Sequence, residues 1–126
     1  LLFANNVAHS QYLAAKLSLL DIRARTVSGD TDRSARRDAV RAFRDGVLRV
    51  ICNAQLFTTG FDAPKVDLIV ISRAVMSPVR FMQMVGRGLR GPRNGGTPSC
   101  RVLTVSDNIA GYAGKRPLDW WRKYYE

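Results

Sequence analysis

The sequence predicts one α/β domain with a mainly parallel sheet of five or six strands, covered by helices on both faces. Two observations support this prediction. Short apolar runs alternate with amphipathic stretches at least three times, and such alternation is typical of parallel strands joined by helical crossovers. The 126 residues are 46% hydrophobic and 24% charged, which indicates a globular chain long enough for a core of its own.

Several classes of protein do not fit the sequence. No apolar run approaches the roughly 18 residues that a membrane-spanning helix needs, and no secretory signal peptide is visible. We therefore expect no membrane partner and a cytoplasmic location, associated with the nucleoid if the source is bacterial. Because the chain starts inside an apolar run and without Met, we expect a domain excised from a longer polypeptide.

Charge and cysteine content indicate a partner and a compartment. A net charge of +10 favours a polyanionic partner such as nucleic acid, although an arginine-rich composition bias could also produce it. Cys52 and Cys100 lie in separate apolar runs, so we expect free thiols in a reducing compartment. His9 is the only histidine, and no residues have metal-ligand spacing, so we predict no protein-bound metal.

The chain begins with a predicted strand–helix unit. Residues 1–4 are apolar and indicate a strand, and Asn5 and Asn6 follow as a turn and a helix N-cap. The helix is predicted for residues 7–20, because leucines recur at helical spacing along one face. The leucines of this predicted core face are Leu13, Leu17 and Leu20.

A second unit begins with a short strand at residues 24–27, followed by a Ser28-Gly29 loop and a second helix. Thr31 or Asp32 caps this helix, and Gly46 ends it. Its core face consists of Ala35, Ala39, Val40 and Phe43. Its opposite face carries arginines that we expect to be mostly solvated and partly neutralised by aspartates at helical spacing. The arginines are Arg33, Arg37, Arg41 and Arg44, and the aspartates are Asp38 and Asp45.

Polar residues follow the third predicted strand, residues 48–52. Thr58 and Thr59 directly precede Gly60, and Asp62 follows two residues later. These residues would serve as turn residues in any long loop. Their order is more informative, because short hydroxyls and backbone amides that can donate to phosphates stand beside a carboxylate just after a strand. A further apolar strand is predicted for residues 66–72.

The most specific pattern lies in the predicted helix at residues 77–90, which Ser77 and Pro78 would start. At about 100° per residue, one face is apolar and the other carries an amide and two guanidinium groups. Two glycines inside a helix cost roughly 1 kcal/mol each, so we expect a compensating close approach of another surface to Gly86. The apolar face consists of Phe81, Met84, Val85 and Leu89 with Gly88, and the polar face of Gln83, Arg87 and Arg90.

The rest of the chain is predicted to contain a loop, one strand and a terminal helix. Glycines and prolines disfavour regular structure at residues 91–98, and residues 100–105 alternate as a strand. Residues 109–126 are expected to form a helical extension of the main domain, residues 1–108. Its aromatic residues would dock on this domain or on a missing one, and base stacking is the alternative. They are Trp120, Trp121, Tyr124 and Tyr125.

These segments together resemble the superfamily 2 helicases and translocases over nearly the whole chain. The run Gln-Met-Val-Gly-Arg-Gly-Leu-Arg that begins at Gln83 is similar to motif VI of this family, and residues 53–64 are similar to motif V. The segment around Asn6 resembles motif IV, and the Ser28-Gly29 loop with Arg36 resembles motif IVa. The chain is most similar to the branch that contains restriction-enzyme motor subunits and related DEAD/DEAH-type helicases.

The resemblance implies the second RecA-like domain of an ATP-dependent helicase, which has a three-layer α/β/α fold. By this resemblance Arg87 and Arg90 would act as arginine fingers on ATP, and Gln83 would couple the nucleotide to domain closure. Their spacing does not fix which arginine is the main finger. Gly60 and Asp62 would also lie on the nucleotide side. The residues matched to nucleic-acid contacts are Asn6, Ser28, Gly29, Arg36, Asn53, Thr58 and Thr59, with Asn53 replacing a common Thr.

The resemblance also implies that ATP and Mg²⁺ are held mainly by a missing N-terminal RecA-like domain of the same polypeptide. The phosphate-binding loop Gly-x-x-x-x-Gly-Lys-Ser/Thr is not in these residues, and the only Glu is Glu126. We therefore expect that this chain alone does not hydrolyse ATP. DNA is favoured over RNA, because Gln83 stands where DEAD-box RNA helicases usually have His. The alternatives are a non-catalytic module that binds nucleic acid or protein, and a nuclease-linked restriction subunit.

Overall fold

A computed structural model of the protein describes residues 1–54, 65–75 and 77–105. Within these ranges there are five strands and three α-helices. The strands are β1 (Leu2–Phe3), β2 (Ala24–Val27), β3 (Val50–Asn53), β4 (Leu68–Ile71) and β5 (Arg101–Thr104). The helices are α1 (Val7–Leu19), α2 (Arg33–Arg44) and α3 (Pro78–Gly86), with a short 3₁₀ helix at Pro92–Asn94.

The five strands form one parallel sheet in the order β2-β3-β1-β4-β5. In the register of the sheet, Phe3 lies between Asn53 and Ile71, and Val27 pairs with Asn53 on the other side of β3. The carboxyl ends of all five strands therefore meet at one edge. This arrangement confirms the predicted α/β fold with a parallel sheet of five strands.

Alternate residues of the central strands enter two separate cores, one on each face of the sheet. On the first face Phe3, Ile51 and Ile69 pack with residues of α2 and α3. On the second face Leu2 and Cys52 pack with Ala14 of α1. The sheet thus has helices on both faces, as expected for strands that are apolar along their whole length.

Helix α1 ends one residue earlier than predicted, and this removes Leu20 from the core. Asn6 caps its first turn, because the side-chain oxygen accepts from the His9 amide at 2.8 Å. At the other end the chain turns through Asp21, whose φ is 60°. Leu20 is consequently 70% exposed, so its prediction as a core residue was wrong.

Helix α2 is capped by Asp32, one of the two predicted caps. Its side-chain oxygen accepts from the amides of Ser34 at 2.7 Å and Ala35 at 3.1 Å. The hydrogen bond from the Ser34 hydroxyl, together with those from the two amides, holds the pKa of the Asp32 carboxyl below its usual value. Gly46 follows the helix with φ 75°, a left-handed conformation that glycine adopts without strain.

Helix α3 is shorter than the predicted helix at 77–90, and this is a correction with consequences for its polar face. The helix ends at Gly86, and the chain then tightens, with the Gly88 amide donating to Val85 at 3.0 Å. Gly88 is buried, whereas Leu89 is 61% exposed rather than part of the core. Residues 91–98 also differ from the prediction, because they include the 3₁₀ helix between the left-handed Gly91 and Gly95.

No helix of the described ranges is long and apolar enough to cross a membrane. The two cysteines are free thiols. Burial raises the pKa of the Cys52 thiol to about 11 and also raises that of Cys100. Both thiols therefore stay protonated near neutral pH and are poor nucleophiles.

Candidate functional site

The carboxyl edge of the sheet collects several of the residues that the sequence singles out. Asn6 follows β1, Ser28 and Gly29 follow β2, and Asn53 ends β3. Because β1 and β2 both pair with β3, the loops with Asn6 and Ser28 lie on either side of Asn53. Ligands of open parallel sheets usually bind outside the carboxyl ends of the strands, where the strand order reverses.

The loop after β2 is held in one conformation by Arg36. Its Nη2 atom donates to the carbonyl oxygens of Ser28 at 3.2 Å and Gly29 at 3.3 Å, and lies 3.5 Å from that of Thr31. The Ser28 amide also donates to the Thr31 hydroxyl at 2.9 Å. The guanidinium therefore fixes a loop in which Ser28 is buried and Gly29 is exposed.

The fixed loop presents backbone donors at the sheet edge. Within the described ranges, no hydrogen bond is found from the amides of Gly29 and Asp30, and both residues are exposed. Successive backbone amides in a turn are a common binding arrangement for phosphate oxygens. The geometry adds a role for Arg36 that the sequence does not show, because its guanidinium holds the loop that presents the donors.

We expect Arg36→Ala to release this loop without unfolding the domain. A hydrogen bond from a charged donor contributes about 1.5–3 kcal/mol, so the Ser28 and Thr31 amides should exchange with solvent deuterium at least about tenfold faster. Hydrogen–deuterium exchange resolved by NMR measures this. Arg37→Ala is the matched control, because Arg37 is the exposed neighbour on the same helix. Equal exchange rates in the two variants would contradict the role given to Arg36.

Asn53 is buried below the sheet edge and bridges two strands. Only 2% of the residue is exposed, and its Nδ2 atom donates to the Leu2 carbonyl oxygen at 3.0 Å. Its Oδ1 atom is buried and has no hydrogen-bond partner within the described part of the chain. The side chain therefore ties β3 to β1 and keeps one acceptor that a donor entering from the edge could satisfy.

The polar face of α3 is only partly the stripe that the periodicity predicts. Gln83 is exposed and Arg87 is half-buried one turn later, and Arg87 keeps helical dihedral angles at the C-cap (φ −64°, ψ −27°). Arg90 lies beyond the end of the helix, so helical spacing does not align it with the other two. Its carbonyl oxygen accepts from the Asn94 side chain at 3.1 Å, which fixes the turn that carries Arg90.

The two glycines near the end of α3 have opposite surroundings. A Cβ atom at Gly88 would overlap the Cys100 sulfur and would lie 3.0 Å from Ile69 Cδ1. A Cβ atom at Gly86 would meet nothing within 4 Å, so the expected close approach to Gly86 is not made by the described residues. Close packing requires glycine at position 88. Because Gly88 has no side chain, the turn with Arg87 lies directly against Ile69 of β4 and Cys100, the residue before β5.

Alanine substitutions at the two glycines should change stability in opposite directions. Gly86→Ala should raise the free energy of unfolding by about 0.5–1 kcal/mol, because alanine restricts the unfolded chain and favours helix. Gly88→Ala should lower it by about 1–3 kcal/mol, because the core must shift to admit the methyl group. Urea unfolding of both variants measures the difference. A stabilising change at Gly88 would show that the packing there is not as described, and a destabilising change at Gly86 would show that the space beside it is not open.

A basic residue that the sequence analysis did not select also lies at the carboxyl edge. Arg73 follows β4 by two residues, and with Ser77, Arg80 and Met84 it lines a cavity of about 130 Å³. The signal available in the sequence was a basic residue directly after a buried apolar strand. The carboxyl edge therefore carries a guanidinium group on the α3 side of the sheet as well as the loops near β3.

Several predicted site residues lie outside the described ranges. They are Thr58, Thr59, Gly60 and Asp62, and the same holds for the predicted aromatic extension at 109–126. Among the described residues no group of three His, Cys, Asp or Glu side chains is placed to hold a metal ion.

Comparison with known proteins gives one consistent result. The model of the helicase conserved C-terminal domain matches residues 1–91. The putative ATP-dependent helicase IRC3 of Saccharomyces cerevisiae is 36% identical over 71% of this chain and 13% of its own length. The ATP-dependent RNA helicase DBP8 of Meyerozyma guilliermondii is 28% identical over 86% of this chain and 27% of its own length. The chain thus spans about a quarter or less of these relatives.

The same result holds at the level of the fold. The C-terminal domain of the DEAD-box protein Dbp5 superimposes with a TM-score of 0.74 and 21% sequence identity. The superposition covers 98% of this chain and 68% of the Dbp5 chain. At this identity the likeness concerns the fold alone, and it agrees with the five-stranded parallel sheet described above.

Proposed function

The chain belongs to the family of helicase conserved C-terminal domains, and from this premise we propose that it is the second motor domain of an ATP-dependent superfamily 2 helicase or translocase. The observation that carries the proposal is the carboxyl edge of the parallel sheet. The fixed loop after β2 and the turn after α3 present amide and guanidinium donors that suit phosphates, and Asn53 lies at the end of β3 between them. A motor of this kind must bind two ligands that carry phosphates, a nucleotide and a nucleic-acid backbone.

The nucleotide would be shared with a second domain. ATP and Mg²⁺ would be held mainly by an N-terminal RecA-like domain of the same polypeptide, because the phosphate-binding loop is not in these 126 residues. When bound, Mg²⁺ would neutralise charge on the phosphates. The contribution of this chain would be Arg87 and Arg90, whose permanently charged guanidinium groups stabilise the charge that develops on the transferred phosphoryl group.

The position of Gly86 suits this arrangement. Gly86 lies between Gln83 and Arg87 on the same helix, and the space beside its Cα atom is open. A second domain could therefore approach the backbone of α3 closely while Gln83 and Arg87 reach the nucleotide. Gln83 would then link the presence of ATP to closure of the two domains. Gly60 and Asp62 are proposed for the same nucleotide.

The nucleic-acid backbone would lie across the loops near β3. The amides of Gly29 and Asp30 would donate to phosphate oxygens, with Arg36 holding the loop in place. Asn6, Ser28, Asn53, Thr58 and Thr59 are proposed as further contacts. Closing and opening of the two domains around ATP would then shift these backbone contacts along the nucleic-acid strand.

DNA is our proposed substrate, on the basis of Gln83, although relatives such as DBP8 are named as RNA helicases. Stimulation of ATP hydrolysis by nucleic acid tests both the motor function and the preference for DNA over RNA. We expect the full-length protein to hydrolyse ATP faster with single-stranded or duplex DNA than without nucleic acid, and less so with RNA of the same sequence. Stronger stimulation by RNA would overturn the DNA assignment. Absence of hydrolysis under every condition would favour the alternative, a non-catalytic binding module.

A further inference from the structure

The outer face of α2 carries a line of arginines that take no part in the nucleic-acid contacts proposed above. At about 100° per residue these four side chains fall within an arc of roughly 80°, and at 1.5 Å per residue they extend over about 16 Å. All four are exposed. We call this surface the α2 basic stripe, and it consists of Arg33, Arg37, Arg41 and Arg44.

The stripe is not neutralised by the acidic residues around it. Within the described ranges no ion pair within 4.0 Å involves any of its four arginines. The Asp32 carboxylate instead caps the helix, because it accepts from the Ser34 and Ala35 amides. Asp38 and Asp45, which were expected to neutralise the stripe in part, lie beside it and at the C-cap without pairing. The stripe therefore presents an uncompensated row of positive charge.

The stripe is continuous with the loop that the proposed function places on nucleic acid. Its first arginine stands one residue after the Asp32 cap, and Arg36 of the same helix contacts the Ser28 and Gly29 carbonyl oxygens. From there α2 runs antiparallel to the strands, and near its end the Leu48 amide donates to Ala42. A nucleic-acid backbone that leaves the carboxyl edge of the sheet could follow the outer face of α2 across the domain.

The composition of the stripe favours a duplex over a single strand. Proteins that bind single strands interleave aromatic side chains with basic ones, and the bases stack on those rings. The only aromatic residue of α2 is Phe43, which packs against the core. A surface with arginines but no aromatic side chains suits a duplex, because the bases of a duplex are already stacked on one another. Because each strand of B-DNA carries one phosphate per about 3.4 Å of helix axis, the length of the stripe corresponds to about five base-pair steps.

We propose that the α2 basic stripe binds the phosphate backbone of a DNA duplex that flanks the strand held at the carboxyl edge. This inference rests on the proposed function, because that function supplies the nucleic acid. The contacts are electrostatic and independent of sequence, so their signature is a dependence of affinity on salt.

The test compares two charge-matched variants of the full-length protein. The stripe variant is R37Q/R41Q/R44Q, and the control is R49Q/K65Q/R101Q, whose residues are exposed and precede or begin strands at the opposite edge. Affinity for a fluorescent DNA duplex is measured by anisotropy at several salt concentrations. We expect the stripe variant to lose about 2.7 units of the log–log salt slope, at roughly 0.9 for each of three contacts. The control should lose less than about one unit.

The outcomes separate this inference from the proposed function. An unchanged slope in the stripe variant would overturn the inference and would leave the stripe as a surface for an acidic protein. Equal losses in the two variants would also overturn it, because the effect would then be one of net charge. Failure of the proposed function would appear in the wild-type protein, as an absence of ATP hydrolysis under every condition, and not in the comparison of variants.

Discussion

Replacing Arg87 with alanine should lower nucleic-acid-stimulated ATP hydrolysis by the full-length protein by a factor of about 10³–10⁵, the range expected of an arginine finger. Arg87 stands at the C-cap of α3 with helical dihedral angles, so its guanidinium is carried by a helix that the core fixes. Alanine removes the charge and leaves that helix in place. The loss should therefore appear in the rate at saturating ATP, with little change in ATP binding.

Two further variants make this prediction specific. Arg93→Ala is the control, because Arg93 is an exposed guanidinium on the nearby 3₁₀ helix and should leave the rate nearly unchanged. Arg90→Ala, measured beside it, decides which of the two proposed arginines contributes more. If both Arg87→Ala and Arg90→Ala hydrolyse ATP near the wild-type rate, the assignment of arginine fingers to this turn is wrong.

Phe81→Ala should have the largest effect on folding. Phe81 is 1% exposed and joins the core between α2, α3 and the sheet. Truncation of a buried phenylalanine costs about 3–5 kcal/mol, which is a large part of the about 5–15 kcal/mol that stabilises a typical domain. We expect urea to unfold the variant at a much lower concentration. Because α3 carries Gln83 and Arg87, ATP hydrolysis by the full-length protein should fall with it.

A neighbouring position provides the matched control for Phe81. Val79 lies on the same helix but is 65% exposed, so Val79→Ala should change the free energy of unfolding by less than about 0.5 kcal/mol. Urea unfolding of the 126-residue chain, with equal slopes for wild type and variants, gives the comparison. A small loss for Phe81→Ala, similar to that of Val79→Ala, would show that α3 is not held by this core.

The sequence was informative wherever a residue's environment depends on its own strand or helix. The apolar runs predicted the central strands β1, β3 and β4, since a strand buried on both faces is largely apolar, and alternation predicted the edge strand β5. The caps at Asn6, Asp32 and Ser77 were likewise predictable, because a cap depends on residues within one turn.

The sequence was less informative where contacts between residues far apart in the chain determine where a helix ends or what a side chain contacts. The helix periodicity placed Leu89 and Arg90 on the faces of one continuous helix, but Gly88 packs against Cys100 and Ile69 and the helix ends before it. That contact joins residues far apart in the chain, and no local pattern contains it. Arg36 is a similar case, because its contacts with the carbonyl oxygens of the Ser28 loop join two elements and no local pattern predicts them.

The most direct test of the account is the position of Arg87 in a structure of the full-length protein with DNA and a transition-state analogue of ATP. We expect a closed complex in which the Arg87 or Arg90 guanidinium lies about 2.7–2.9 Å from an oxygen of the terminal phosphate, the distance of a charge-assisted hydrogen bond. A closed complex in which both guanidinium groups point away from the nucleotide would contradict it.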